Sequence, residues 1–208
     1  MPHYEVHKLF PTPLFVYDDL TTTEEERKFV YKQEWYRVDA GNGWLTKNHY
    51  LLNEPALKSL KEKIQNAFEI YLHEILKIPK GMECRITNSW STKHNPGDWG
   101  QEHIHTNSVF SGVYYMDTNE DTGDISFHRQ EQDISVLPLT TRPGRFDELN
   151  EFNGSQFKLL ARNNKCVIFP SSLMHSVEQN NSKQDRYCIA FNFFPIGTWG
   201  SNDFELIL

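Results

Sequence analysis

The stretch 99-WGQEHIHTNSVFSGVYYM-116 sets two histidines, His103 and His105, one residue apart, just ahead of a run that reads as a strand. In extended backbone residues i and i+2 point to the same face, so both imidazoles can aim at one interior point. The question is what kind of fold supplies that interior.

Working outward from this stretch, the chain after Lys80 is a series of short strand-like runs separated by Gly, Pro, Asn and Asp. They are CRITNSWSTKH, HIHTNSVFSGVYYMD, GDISFHR, ISVLPL, FKLLA, KCVIFPSS, MHSVEQ and RYCIAFNFFPI. Such a series predicts an antiparallel sandwich or barrel of the jelly-roll kind. The first 80 residues differ in texture. KLFPTPLFVY reads as an extended edge segment broken by Pro11 and Pro13. Threonines precede a Glu-rich turn in 20-LTTTEEERKFVYKQEWYR-37, a helix start, and 41-GNGWLTKNHYLL-52 reads as a loop or short hairpin. A second helix opens at Pro55 and carries Leu57, Leu60, Ile64, Phe68, Tyr71, Leu72 and Ile75 at spacings of three and four. The expectation is one domain over 1–208, with helical support in 1–80 and the β core in 81–208. The polar insertion 138-PLTTRPGRFDELNEFNGSQ-156 is long for a compact domain and is read as a candidate lid.

Composition narrows the function classes. The 208 residues suffice for one full core, and 14 Phe, 9 Tyr and 5 Trp suit sheets packed face to face. A net charge of −7 without a basic run argues against nucleic acid as a partner, since phosphates need neutralising. Cys84, Cys166 and Cys188 are odd in number and lie in apolar runs, so buried free thiols and a reducing cytoplasm are expected. The opening residues lack the pattern of a signal peptide, and no segment approaches the roughly 20 apolar residues of a membrane span.

The chemistry rests on residues far from the opening stretch. His175 follows the strand KCVIF, and eleven residues later Arg186 opens the last long strand. A mononuclear non-haem iron site needs three ligands on one face of an octahedron, and neutral imidazoles are good nitrogen ligands. An arginine nearby can clamp the far carboxylate of a keto acid with two hydrogen bonds.

NPGDWGQEHIHTNSVFSGVYYM, NKCVIFPSSLMHSV and DRYCIAFNFF together resemble the iron(II)/2-oxoglutarate-dependent oxygenases. The resemblance is nearest to a group common in cyanophages and marine bacteria, and the spacing from Pro96–Gly97 to His103 is also similar to the aspartyl/asparaginyl β-hydroxylases. With LFPTPLFVYDDL and the long helix it covers nearly the whole chain. It implies a mainly β, double-stranded β-helix (cupin-like jelly-roll) core with N-terminal supporting helices, and Fe(II), 2-oxoglutarate and O2 as cofactor and co-substrates. By this resemblance His103 and His175 match the two iron histidines, and Arg186 matches the co-substrate arginine. Tyr114 and Thr92 match residues of the 2-oxoglutarate pocket.

One departure stands out. Most of the superfamily carries Asp or Glu two residues after the first histidine, and this chain carries His105. Either His105 is a third iron ligand, the reading preferred here, or it orients substrate or water. The activity implied is hydroxylation of a substrate C–H bond, coupled to decarboxylation of 2-oxoglutarate to succinate and CO2. A peptide or protein side chain is the implied substrate, with no membrane partner and a homodimer as a reasonable assembly. Two alternatives stay open: a three-histidine dioxygenase that needs no keto acid, and a non-catalytic cupin-like binding module. His94 and His128 are read as exposed loop histidines, and Trp90 and Trp99 as core packing. His3, His7, His49 and His73 are read as structural or surface residues.

Overall fold

The structure is a computed structural model that describes residues 3, 5–18, 20–38, 41–130, 148–200 and 202–208. It is built on two antiparallel sheets. The major sheet takes β4 (Glu83–His94), β6 (Phe110–Asp117), β9 (Cys166–Pro170) and β11 (Arg186–Ile196). The minor sheet takes β5 (Gly100–His103), β7 (Ile125–His128), β8 (Gln156–Leu159) and β10 (His175–Val177). The chain therefore crosses repeatedly from one sheet to the other, which is the winding of a double-stranded β-helix. The mainly β jelly-roll expectation holds.

The N-terminal part supplies strands as well as helices. β1 (Phe15–Tyr17) pairs with β9 at one edge of the major sheet. The hairpin of β2 (Trp35–Arg37) and β3 (Trp44–Thr46) extends the opposite edge beyond β4, giving the seven-stranded order β1-β9-β6-β11-β4-β3-β2. The minor sheet has the order β5-β10-β7-β8. Helix α1 (Glu24–Tyr31) starts as expected: Thr23 accepts from the Glu26 N–H while Glu26 accepts from the Thr23 N–H, a closed capping box. It ends at Tyr31, and Trp35–Arg37 take backbone partners in β3 instead. Helix α2 (Lys58–Glu69), preceded by a 3-10 turn at Pro55–Leu57, continues as a π-helical turn over Ile70–Ile75.

Strand alternation divides the core in two. Tyr114, Met116, Ile168, Ile189, Phe191 and Phe193 face the helices, where Phe68 of α2 stacks on Phe193 at 3.8 Å between centroids. Tyr115, Ile125, Phe127, Val167, Phe169 and Cys188 lie between the sheets. Gly112 sits opposite Phe191 in the register, and a methyl group there would come within 2.3 Å of the Phe191 ring. The glycine is what lets that ring lie flat on β6. Cys84, Cys166 and Cys188 are buried and free.

The expected strand ISVLPL (134–139) lies outside the described residues, as does the insertion up to residue 147. Among the described residues no helix is long and apolar enough to cross a membrane.

Candidate active site

The antiparallel pairing of β5 with β10 sets His103 directly opposite His175. His105 lies two residues beyond β5, anchored by its N–H donating to the Ser171 carbonyl at 3.0 Å. The three rings converge, with centroids 4.3 Å apart for His103–His175, 5.2 Å for His105–His175 and 5.3 Å for His103–His105. Their candidate ligand nitrogens lie within 4.8 Å of one another. His175 is buried, His105 half-buried and His103 exposed, so the cluster sits at a mouth.

Hydrogen bonds decide which nitrogen of each ring is free. His103 Nδ1 lies 2.8 Å from the Gln101 carbonyl and His175 Nδ1 2.8 Å from the Leu173 carbonyl. A carbonyl can only accept, so both Nδ1 atoms carry the proton and both Nε2 atoms keep a lone pair. His105 Nδ1 lies 2.5 Å from Asn192 Oδ1, which leaves its Nε2 likewise free. Burial, with help from the neighbouring His103, pushes His175 down to about 3, so this ring is neutral at ordinary pH. Burial lowers His105 too, partly opposed by its bond to Asn192.

His105 is held by a polar network inside the sandwich. Asn192 Oδ1 also accepts from Ser111 Oγ at 2.7 Å, and Asn192 Nδ2 donates to Asn88 Oδ1 at 3.0 Å. Ser171 Oγ lies 2.8 Å from both Ser111 Oγ and Ser108 Oγ. Such outer partners fix ring orientation and tautomer. Here every one of them is uncharged: two backbone carbonyls and a carboxamide.

Arg186 lies on the same inward face of β11 as Asn192, toward the other end of the strand. It is 2% exposed. Its Nη1 lies 3.2 Å from His94 Nδ1, its guanidinium stands 5.3 Å over the Tyr115 ring, and its Nε is buried without a hydrogen-bond partner. No acidic residue forms an ion pair with it among the described residues. A buried cation without a counter-charge is costly, and its unpartnered Nε leaves a donor open to an acceptor. Beside it the Tyr115 hydroxyl is buried with no acceptor or donor at hydrogen-bond geometry; burial raises its pKa, and the adjacent Arg186 lowers it in part. Thr92 faces inward as well, opposite Cys188 in the register.

Several expectations need correction. Tyr114 does not join the pocket: alternation turns it to the helix side, where its hydroxyl lies 3.2 Å from Thr22 Oγ1. Tyr115, one residue on, faces inward in its place. His94 is buried, not an exposed loop residue, and contacts Arg186. His128 is half-buried at the end of β7, 2.7 Å from Ser176 Oγ. Neither tryptophan is core packing. Trp99 is 39% exposed, and Trp90 is half-buried beside His105 at 5.8 Å between centroids. His49 and then Tyr36 continue this wall of rings toward solvent, at 6.2 and 6.3 Å.

Sequence reasoning chose Tyr114 over Tyr115 for the inward face and did not pick out Asn192 or the burial of His94 against Arg186. One signal for Tyr115 was the alternation itself, since only one of two adjacent strand residues can share the inward face of Arg186.

Comparison with known proteins agrees with this chemistry. The family model described as "Putative 2OG-Fe(II) oxygenase" matches residues 88–192, a span that holds all three histidines of the cluster and Arg186. No curated protein matches the sequence. Among solved structures, an oxidoreductase of the 2OG-Fe(II) oxygenase family from Burkholderia pseudomallei superposes with a TM-score of 0.59 at 9% identity, over 86% of this chain and 83% of that one. A prolyl-4-hydroxylase from Pseudomonas putida gives 0.57 at 12% identity, over 88% and 92%. HygX from Streptomyces hygroscopicus, crystallised with nickel and 2-oxoglutarate, gives 0.54 at 12% identity, over 88% and 82%. At these identities the likeness is one of fold.

Proposed function

The chain belongs to the 2OG-Fe(II) oxygenase family, and from that premise we propose that it hydroxylates a C–H bond of its substrate, with His103, His105 and His175 holding the iron and Arg186 holding 2-oxoglutarate. The donor set fits the metal: three imidazoles converge with Nε2 clear of protein hydrogen bonds, and burial lowers the pKa of His105 and His175. When bound, Fe(II) with 2-oxoglutarate supplies oxygen activation, the keto acid leaving as succinate and CO2.

The protein's own part is positioning. The observation that carries the reading is Arg186, a buried cation with an unspent Nε–H donor and no acidic partner among the described residues, facing through Tyr115 and Phe169 the same interior as His175. 2-Oxoglutarate has a carboxylate at each end of a short chain, so it can occupy the metal side and meet Arg186 with the other end. Tyr115 and Thr92 lie beside that second carboxylate's place, and the free Tyr115 hydroxyl is a ready donor to it. The Cys188, Val167 and Phe169 side chains keep the surroundings apolar, which strengthens the ion pair.

For the substrate we favour a peptide or protein side chain. His103 is exposed and the wall Trp90, His49, Tyr36 leads outward from His105, so the mouth is open to a large partner. The prolyl-4-hydroxylase with the same fold is in keeping with that choice.

The test is succinate release. The Fe(II)-loaded protein, given 2-oxoglutarate and O2, is expected to form succinate slowly without substrate, and His175→Ala is expected to form none. Iron binding with oxygen uptake on a small thiol or diketone, but no succinate, would favour a three-histidine dioxygenase instead. Failure to bind iron would point to a binding module.

A further inference from the structure

We propose that His94 is a positioning residue that braces the Arg186 guanidinium as a neutral acceptor, leaving the positive charge and the remaining donors for the co-substrate carboxylate. The inference rests on the reading of Arg186 as the carboxylate clamp.

His94 is the last residue of β4, directly opposite Arg186 in the register of β4 with β11, and it is 5% exposed. Arginine has donors only, so the 3.2 Å contact makes His94 Nδ1 the acceptor and puts the ring proton on Nε2. That side of the ring meets the Asn42 backbone. The loop is pressed flat on the ring: Gly43 has φ +77°, and a methyl group there would come within 2.2 Å of His94 Cδ2. The same loop is tied to the start of β5, since the Trp99 N–H donates to the Gly41 carbonyl at 3.0 Å and the Gln101 N–H to Asn42 Oδ1 at 2.8 Å. Burial first, then the adjacent Arg186, pushes His94 down to about 3, so the ring stays neutral.

The neighbouring acid is spent elsewhere. Asp98, 5% exposed, is engaged by both terminal nitrogens of Arg37, at 2.6 and 2.7 Å, and accepts from the Asn95 N–H. Arg186 is thus anchored without being neutralised. A carboxylate in place of His94 would anchor it equally well, but would compete with the ligand for its charge. An imidazole gives orientation without competition.

The experiment compares His94→Gln, His94→Glu and His94→Ala by calorimetric titration with 2-oxoglutarate under anaerobic conditions, with Mn(II) as the metal. The Mn(II) affinity, measured separately, shows that each variant is folded. Glutamine keeps a neutral acceptor and is expected to bind within about threefold of wild type, and alanine about 3- to 10-fold more weakly, the worth of one neutral hydrogen bond. Glutamate forms an internal ion pair and is expected to bind at least about 100-fold more weakly. Mn(II) affinity stays as in wild type throughout.

Equal binding by the glutamate and glutamine variants would overturn the proposal, because the ring would then merely fill space. Should the glutamate variant not fold, alanine binding as tightly as glutamine would overturn it in the same way. Binding unchanged in Arg186→Ala would remove the clamp and the brace together. Dependence on Arg186 with indifference to charge at position 94 removes the brace alone.

Discussion

Replacing Arg186 by methionine should leave the free protein nearly unchanged while sharply weakening its complex with 2-oxoglutarate. The residue is 2% exposed, has a neutral ring on one nitrogen and leaves Nε without a partner, so in the free protein it is a buried and largely uncompensated cation. Swapping buried charge for an apolar side chain of similar volume is often neutral or stabilising, by about 1–4 kcal/mol. Against this, His94 loses its donor, at a cost of about 1–3 kcal/mol. The metal-free, ligand-free variant should therefore melt within a few degrees of wild type. The complex loses a buried carboxylate–guanidinium pair, worth about 3–5 kcal/mol when one partner is removed. At about 1.4 kcal/mol per tenfold, 2-oxoglutarate should bind some hundred- to several-thousand-fold more weakly.

Anaerobic thermal melts in the presence of metal read both effects. Wild type at a ligand concentration of about 100 times Kd gains about 2.7 kcal/mol. For a chain of this size that raises Tm by roughly 5–10 °C, at about 2–4 °C per kcal/mol. The methionine variant should show no shift at the same concentration. A variant that keeps the shift, or whose ligand-free form falls by tens of degrees, would refute the view of Arg186 as a cation held ready for an anion.

Tyr115→Phe should weaken 2-oxoglutarate binding several-fold, by about 0.5–1.5 kcal/mol, while Tyr114→Phe leaves it unchanged, since only the first hydroxyl faces Arg186. Asn192→Leu releases the His105 ring and should lower metal affinity about 10- to 100-fold in a competition titration. The pH dependence of the metal-free protein follows from His94 and His175, both pushed down to about 3 by burial. In the unfolded chain they titrate near 6.5, so below that pH the unfolded state binds more protons and stability falls, until about 3. Chemical denaturation from pH 7 to 4 should show this loss, smaller in His94→Gln. Gly112→Ala, whose methyl would meet the Phe191 ring and the Val167 carbonyl, should cost about 1–3 kcal/mol in the same assay.

The winding of the β core was legible because its strand runs are apolar and punctuated by Gly, Pro, Asn and Asp, and because HIH at a strand end suggests which face is inward. The convergence of His103, His105 and His175 depended on a pairing between β5 and β10 that no local pattern encodes, yet the motif order anticipated it. Tyr114 was misplaced by a single residue: VYY offers two tyrosines, and the choice is set by the cross-strand partner, Cys188 for Tyr115 and Ile189 for Tyr114. His94 read as a loop histidine because KHNPGD looks like a turn. It is buried because the Gly41–Gly43 loop, distant in sequence, folds over it. Asn192 sits in an apolar strand, FNFF, where a lone polar residue was itself a sign of an interior hydrogen-bonding role.

The neutral surroundings of the histidine cluster bear on the missing carboxylate. On the proposed reading His105 takes its place, and among the described residues the hydrogen-bond partners behind the three rings, two backbone carbonyls and a carboxamide, carry no negative charge to offset a metal. A dianionic co-substrate would then contribute both the charge balance at the metal and the partner for Arg186. Keto-acid binding and metal binding should accordingly reinforce each other strongly.

The most direct measurement is an anaerobic titration of the Fe(II)-loaded protein with 2-oxoglutarate, followed by visible absorption. Chelation by the keto acid should bring up a weak charge-transfer band that saturates in wild type and requires far more 2-oxoglutarate in Arg186→Ala. Bound iron with no such band in wild type would contradict the assignment of this pocket to 2-oxoglutarate.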